Sequence, residues 1–211
     1  MTSLLNLGAG GELPFYPETI DQSLRFNDGD SPSISKNFSA SNLKTNTFSF
    51  WLKRGITGAS QMLLSGGQGT SNNDFWFHFE AGNILTFRNI TGGSYTAIVS
   101  TSSLFRDSSN WYHIVLALDT TQSTASDRVK IYVNGVQETL TFTTTPAQDS
   151  NLSVNYAGNL YFGRLSYSAQ QYLDGYLAEV NFIDGTALTP SSFGELKNSV
   201  WIPKAISGLT Y

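Results

Sequence analysis

Phe75-Trp76-Phe77-His78-Phe79-Glu80, Ala81-Gly82-Asn83, Ile84-Leu85-Thr86-Phe87-Arg88 is the stretch on which the fold turns. Its phenylalanines fall on every second position with Trp76, His78 and Glu80 between them. Only an extended strand, whose side chains alternate between two faces, sends all three to one side. Ala81-Gly82-Asn83 then supplies turn chemistry and the next run resumes the alternation, so the two segments form an antiparallel hairpin. A hairpin with one aromatic face cannot stand alone in water and requires a second layer over that face.

The rest of the chain supplies that layer. Phe48, Phe50 and Leu52 alternate with Ser49, Trp51 and Lys53. Trp111 to Leu118 is mostly apolar, the pattern of a central strand covered on both sides. Arg128 to Val133 alternates and ends in Asn134-Gly135, a strong hairpin signal, with Val136 resuming the strand. Leu160-Tyr161-Phe162 stops at Gly163, and Tyr172 to Ile183 reads as one long strand interrupted only by Gly175. One helix is credible: Thr189 can cap it, Pro190 suits its first position, and Ser191 to Leu196 allows at most two turns. The reading is all-β, a two-sheet antiparallel sandwich with one short C-terminal helical turn.

Residues 1–20 differ. Leu4, Leu5 and Leu7 precede Gly8-Ala9-Gly10-Gly11, and Pro14 and Pro17 stiffen the run into Ile20. They read as an arm, able to dock on a partner or fold back on its own sandwich, with one domain over residues 21–211. Charged residues are 13% of the chain, about half the usual share, so the surface repels little and suits packing against neighbours. The net charge of −4 and the lack of any Lys/Arg cluster exclude a nucleic-acid footprint. No stretch is apolar enough to span a membrane, and the N-terminus has no signal-peptide pattern. The absence of cysteine excludes a disulfide framework and thiolate metal sites.

Several segments in this order resemble the laminin-G-like branch of the concanavalin A-like lectin/glucanase superfamily. They are Ser23 to Asp30, Phe48 to Lys53, Asn110 to Val115, Val129 to Gly135, Leu160 to Gly163 and Leu173 to Val180. The tail, Ala178 to Gly194 followed by Val200-Trp201-Ile202-Pro203-Lys204, resembles a form of this domain found in virion proteins of tailed, especially marine, phages. The resemblance implies an antiparallel jelly roll whose concave face and edge loops bind sugars, sometimes through calcium. A cysteine-free chain folding in reducing cytoplasm and released by lysis agrees with the virion setting.

Catalysis finds little support. Glycosidases of the superfamily carry alternating Glu-x-Asp-x-Glu on one strand, and here Glu179 and Asn181 share a face flanked by Leu177 and Ile183, with no second acid. A structural hydrogen-bonding role is the reading for Glu179. His78 and His113, the only histidines, sit in no triad motif and read as packing or edge residues. Calcium is the one metal option: Asp28 and Asp30 lie in the turn Asn27-Asp28-Gly29-Asp30, which Asp149 or Asp174 and backbone carbonyls would have to complete. The plain alternative is a turn whose aspartates hold their own backbone. Trp51, Trp76 and Tyr95 are candidate ligand-binding aromatics, because they lie on or near the strand face opposite the core. Trp111 reads as packed, and Trp201 with Ile202 and Pro203 as a clamp holding the C-terminal segment to the sandwich.

The expectation is a non-enzymatic virion surface protein, a capsid decoration, head fibre or tail fibre component. Leu4, Leu5 and Leu7 would anchor it to other virion proteins, the sandwich would adhere to glycans, and a homo-oligomer such as a trimer would multiply weak contacts. The alternatives are a structural cement protein that binds only neighbouring subunits, and, less favoured, a glycan-cleaving enzyme.

Overall fold

The computed structural model describes residues 18–209. Most of the arm, with Leu4, Leu5 and Leu7, lies outside the described residues. Among those described, the strands are β1 Leu24–Phe26, β2 Ile34–Phe38, β3 Thr45–Arg54, β4 Gln61–Thr70, β5 Asn73–Phe79, β6 Leu85–Thr91, β7 Ser94–Thr101 and β8 Tyr112–Asp119. They continue as β9 Val129–Val133, β10 Val136–Gln137, β11 Leu140–Thr144, β12 Gly158–Phe162, β13 Gly175–Asp184, β14 Gly194–Lys197 and β15 Val200–Pro203. Six pair in the order β1-β13-β3-β8-β9-β10, seven in the order β11-β7-β6-β5-β4-β12-β2, and β14 pairs with β15 alone. All pairings are antiparallel, and the two large sheets stack as an all-β sandwich.

The core is what the alternation predicts. Phe48, Phe50 and Leu52 of β3 meet Phe75, Phe77 and Phe79 of β5, all buried. Phe48 stacks on Phe75 at 5.9 Å between ring centres, and Phe50 meets Phe77 edge-on at 6.4 Å. The expected hairpin is present, with Phe77 opposite Phe87 and Phe79 opposite Leu85. Strand β8 lies between β3 and β9 and is covered on both sides. Ile114, Leu116 and Leu118 enter the main core, while Val115 and Ala117 join Tyr132, Ile183 and Phe193 in a second cluster on the outer face.

The Asn134-Gly135 turn has both residues at positive φ, 49° and 81°, as a two-residue hairpin with native twist requires. Gly135 has a second reason to be glycine, because a Cβ there would stand 2.4 Å from the Trp201 ring.

Two local expectations are corrected. The one short C-terminal helical turn is present, as a 3-10 turn over Pro190–Ser192, but it does not extend to Leu196, because Gly194–Lys197 forms a hairpin with Val200–Pro203. Thr189 precedes the turn, but its hydroxyl meets Ser191 Oγ and caps nothing. An early stop lets Phe193 turn inward, where it is buried against Val115, Ala117, Tyr132 and Ile183.

The second correction concerns β13. A bulge between Ala178 and Asn181 places Glu179 at φ +47° and reverses the alternation beyond it. Leu177 therefore enters the main core while Ile183 enters the outer cluster, so the two do not flank Glu179 on one face. Glu179 is exposed, and its carbonyl accepts the Asn181 amide at 2.8 Å. An inserted residue shifts parity by one, which a period-two reading cannot anticipate.

Candidate functional site

The outer face of the seven-stranded sheet carries the side chains that alternate with the core phenylalanines. Across adjacent strands Tyr161, Ser65, Trp76, Arg88 and Ile98 stand in register, with Met62, His78, Thr86 and Ser100 in the row beside them. The segment 163–172 crosses this face: Ser65 Oγ donates to the Arg164 carbonyl at 2.7 Å, and the Gln171 carbonyl accepts the Met62 N–H at 2.9 Å.

That crossing builds an aromatic group around Trp76. Tyr95 meets it edge-on at 6.0 Å, and Tyr167 leans on it at 5.9 Å with 43° between planes. Tyr95 and Tyr167 are 44% and 39% exposed, so both rings are open to a ligand. Arg88 lies over Tyr95 at 5.8 Å and is held by Glu80 at 2.5 Å, an ion pair at the rim that presents both donors and acceptors.

Beneath the rings lie two buried titratable groups, Asp74 and His78. Asp74 is fully buried and accepts Ser166 Oγ and the Phe75 N–H, and burial raises its carboxyl to about 7. His78 is buried 3.6 Å from Glu80 with no hydrogen-bond partner on either ring nitrogen, and burial lowers it to about 4.

The outer face of the six-stranded sheet is organised differently. His113 Nδ1 accepts the Trp201 indole N–H at 3.0 Å, the rings stack at 5.8 Å, and His113 Nε2 lies 3.0 Å from Ser49 Oγ. A serine beside a histidine suggests a nucleophile and its base, but the tautomer forbids it. An indole can only donate, so Nδ1 is the acceptor, Nε2 carries the proton, and the ring donates to Ser49 instead of accepting from it. Burial also lowers His113 to about 4, and Ser49 is buried. The group is a fastener, in which Trp201 joins the β14–β15 hairpin to His113 of β8. Trp201→Phe, which keeps the ring and loses the bond, is expected to cost about 1 kcal/mol, read as a fall of roughly 2–4 °C in thermal midpoint; an unchanged midpoint would refute the clamp.

The two buried histidines fix a direction for acid stability. An unfolded histidine binds its proton near 6.5 and these rings only near 4. Their contribution is therefore complete above about pH 6.5 and is lost as pH falls towards 4. Asp74, raised from 3.8 to about 7, acts in the opposite sense, its contribution complete at low pH and lost as pH rises through 7. Two rings against one carboxylate leave a net loss on the order of 2 kcal/mol between pH 6.5 and 4. Urea midpoints at pH 6.5, 5.5 and 4.5 should fall in that order, and equal midpoints would contradict it.

The remaining candidates fall elsewhere. Trp51 is 7% exposed on the six-stranded sheet, tilted against His113 at 4.9 Å, so it shares no surface with Trp76 and Tyr95. It lines a groove of about 900 Å³ with Trp111, Val136, Leu196, Val200 and Trp201. Trp111 is half-buried against Tyr176 at 6.4 Å. Asp28 and Asp30 sit in a single 3-10 turn where Asp30 accepts the Asn27 amide at 2.7 Å. Burial and the neighbouring Asp28 raise Asp174, whereas Asp149 pairs with Lys44 at 3.3 Å. Among the described residues no three His, Cys, Asp or Glu gather around one point, so calcium would depend on Asp28, Asp174 and backbone or water oxygens to reach six ligands.

Sequence reasoning singled out Trp76 and Tyr95 and missed Tyr167 and Asp74. Asp74 shares the parity of Trp76, a signal that could have placed it on the same face. Tyr167 sits in an irregular segment with no period to read.

The comparisons agree with this architecture. No curated protein matches the chain. Among solved structures, the laminin α1 chain domains LG4-5 of mouse align with a TM-score of 0.58 at 14% identity, over 92% of this chain and 48% of that one. A K499G mutant of NanB sialidase from Streptococcus pneumoniae aligns at 0.56 and 17% identity, over 83% of this chain and 28% of that one. The chain thus spans about half of the laminin fragment and little more than a quarter of the sialidase. The Ruminococcus gnavus IT-sialidase CBM40 bound to α2,3-sialyllactose aligns at 0.51 and 15% identity, over 76% of this chain and 95% of that one. Residues 27–192 match the laminin-G family model described as the concanavalin A-like lectin/glucanases superfamily, and with most of the sandwich inside that match the chain belongs to this family.

Proposed function

We propose that the chain is a glycan-binding module without catalytic activity, and that Trp76, Tyr95 and Tyr167 on the seven-stranded sheet form its binding platform. The observation that carries this reading is the open pair of tyrosines flanking Trp76, with the Arg88–Glu80 pair at the rim. The C–H face of a sugar ring is apolar and weakly positive, so it packs on the negative face of an aromatic ring while its hydroxyls reach polar groups at the edge. The module of R. gnavus bound to α2,3-sialyllactose has a similar sandwich, which supports the class of ligand. Binding without cleavage is supported by the state of the acids: Asp74 is sealed under the rings and Glu80 is engaged by Arg88.

A glycan array including α2,3-sialyllactose, probed with the multivalently displayed chain, tests the site. Trp76→Ala is expected to lose at least tenfold in affinity, about 1.4 kcal/mol, while Trp111→Ala, in the groove beside the six-stranded sheet, binds as wild type. Binding that survives Trp76→Ala, or no glycan bound at all, would refute the platform.

The setting we infer is a virion surface, as a decoration or fibre component anchored through the N-terminal arm and repeated as a homo-oligomer. Its support is the tail motif from Ala178 to Lys204 together with the cysteine-free composition. Repetition would raise avidity by about 10² to 10⁴ over single sites. Image reconstruction of purified virions would locate it, and its absence from every particle would end that part. A second reading, a cement subunit, draws support from the groove on the six-stranded sheet, where Val136 and Leu196 stand about two-thirds exposed. A neighbouring subunit seated on Val136 and Leu196 in the same reconstruction would favour it.

A further inference from the structure

The aromatic platform depends on a contact that its own strand does not supply. Trp76 and Tyr95 come from β5 and β7, but Tyr167 arrives on the segment 163–172, which has no strand pairing. Ser166, next to Tyr167, is buried, and its hydroxyl donates to Asp74 Oδ2. Asp74 Oδ1 accepts the Phe75 N–H at 2.9 Å, and the Trp76 indole N–H is directed at the same carboxylate from outside hydrogen-bonding geometry. One fully buried acid therefore stands under both Trp76 and the residue that places Tyr167.

We propose that Asp74 is the positioning residue of the platform: through Ser166 it holds the segment 163–172 and Tyr167 against Trp76, and its protonation state sets how firmly they are held. This rests on the platform reading above and adds the regulation of that site.

The surroundings of Asp74 give the direction. From β4 it faces Gly66 and Gly67, which carry no charge. From β6 its cross-strand partner is Ile90, and the nearest charge on that strand's outer face, Arg88, is taken by Glu80. Strand β7 presents the Tyr95 phenol and the crossing segment presents Tyr167, while Arg164 of that segment lies over Tyr161 at 4.2 Å. On its own strand His78 is held neutral by burial. Among the described residues no cation lies within ion-pair distance of Asp74, so its charged form is penalised by burial, and the carboxyl is raised to about 7.

With the segment lifted, water would reach Asp74 and return it towards its ordinary value near 3.8. The closed arrangement is then favoured in full at low pH and loses that preference as pH rises through about 7. A charged carboxylate is the better acceptor for Ser166, but that gain is already included in the value near 7, which burial dominates.

Hydrogen exchange of the backbone amides of 163–172, corrected for intrinsic rate, tests this without any ligand. Between pH 6 and 8.5 the wild-type segment is expected to lose roughly tenfold in protection. Asp74→Asn keeps an acceptor for Ser166 without a charge, and its protection is expected to stay constant across that range. Ser166→Ala is expected to lower protection equally at both pH values while the thermal midpoint moves by only a few degrees. A flat wild-type profile, or the same pH slope in Asp74→Asn, would overturn the proposal. Should Asp74→Asn fail to fold, protection in Ser166→Ala equal to that of wild type at both pH values would overturn it equally. The platform reading stands or falls separately, on glycan binding by Trp76→Ala.

Discussion

Arg54→Ala is expected to cost about 3–5 kcal/mol of unfolding free energy, seen as a thermal midpoint lowered by roughly 10 °C. Arg54 ends β3 inside the sandwich, 1% exposed, with no carboxylate within ion-pair distance among the described residues. Burial pulls its guanidinium down to about 10, so the ion is costly to hold there. What holds it is geometry: it donates to the Phe105 carbonyl at 2.5 Å and to Asn83 Oδ1 at 3.1 Å, and stacks over Phe79 at 3.9 Å. Those partners lie in the turn after β5 and in the segment after β7, so one side chain ties two connections to the end of β3. Truncation leaves a cavity beside Phe79 and an unpaired carbonyl at Phe105, partly offset by relief of the buried charge. Arg54→Met separates the two effects, since it keeps the volume and loses the donors, and about half the loss is expected. If Arg54→Ala melted within 2 °C of wild type, the tie would carry no weight.

Gly158→Val is expected to destabilise by about 3 kcal/mol or more, enough to deplete folded protein in expression trials and to lower the urea midpoint clearly. The chain enters β12 at φ +155°, and a Cβ at Gly158 would stand 2.0 Å from the Gly67 carbonyl. Gly67 is confined too, at φ +137° with a hypothetical Cβ 2.5 Å from the Asn73 carbonyl. The obstacles are backbone atoms, which cannot swing aside as a side chain would. β12 is the strand that links β2 to β4. A substitution there would open the sheet between them. Gly82→Val, at a site with open space around it, is the control and is expected to change little. Equal midpoints for the two variants would contradict the argument.

Acid lability from the histidines and loss of the platform with Trp76 are smaller effects, but they report on different faces. The first concerns how the sheets are covered. The second concerns what one of them leaves open.

The strand alternation was legible because it is local. Phe75, Phe77 and Phe79 turn inward for the same reason that Trp76 and His78 turn outward, and neither depends on the rest of the chain. Asn134-Gly135 was legible because the turn demands two positive φ values that few residue pairs tolerate. The bulge at Glu179 was not legible, since an inserted residue has no signature in a strand that otherwise alternates. The C-terminal hairpin misled as well, because Thr189-Pro190 opens a helical turn equally well whether or not a helix follows.

What the sequence determined by itself is therefore the sandwich and the face on which strand residues stand wherever the alternation runs unbroken by a bulge. Which outward face stays open was decided by tertiary structure. Trp51 and Trp76 have the same alternation, but the β14–β15 hairpin, about 150 residues further on, lies beside Trp51, while Trp76 gains an open neighbour in Tyr167 from a segment about 90 residues away. Period-two burial is a property of a few consecutive bonds, whereas a cover arrives from wherever the chain returns, and no local pattern records that.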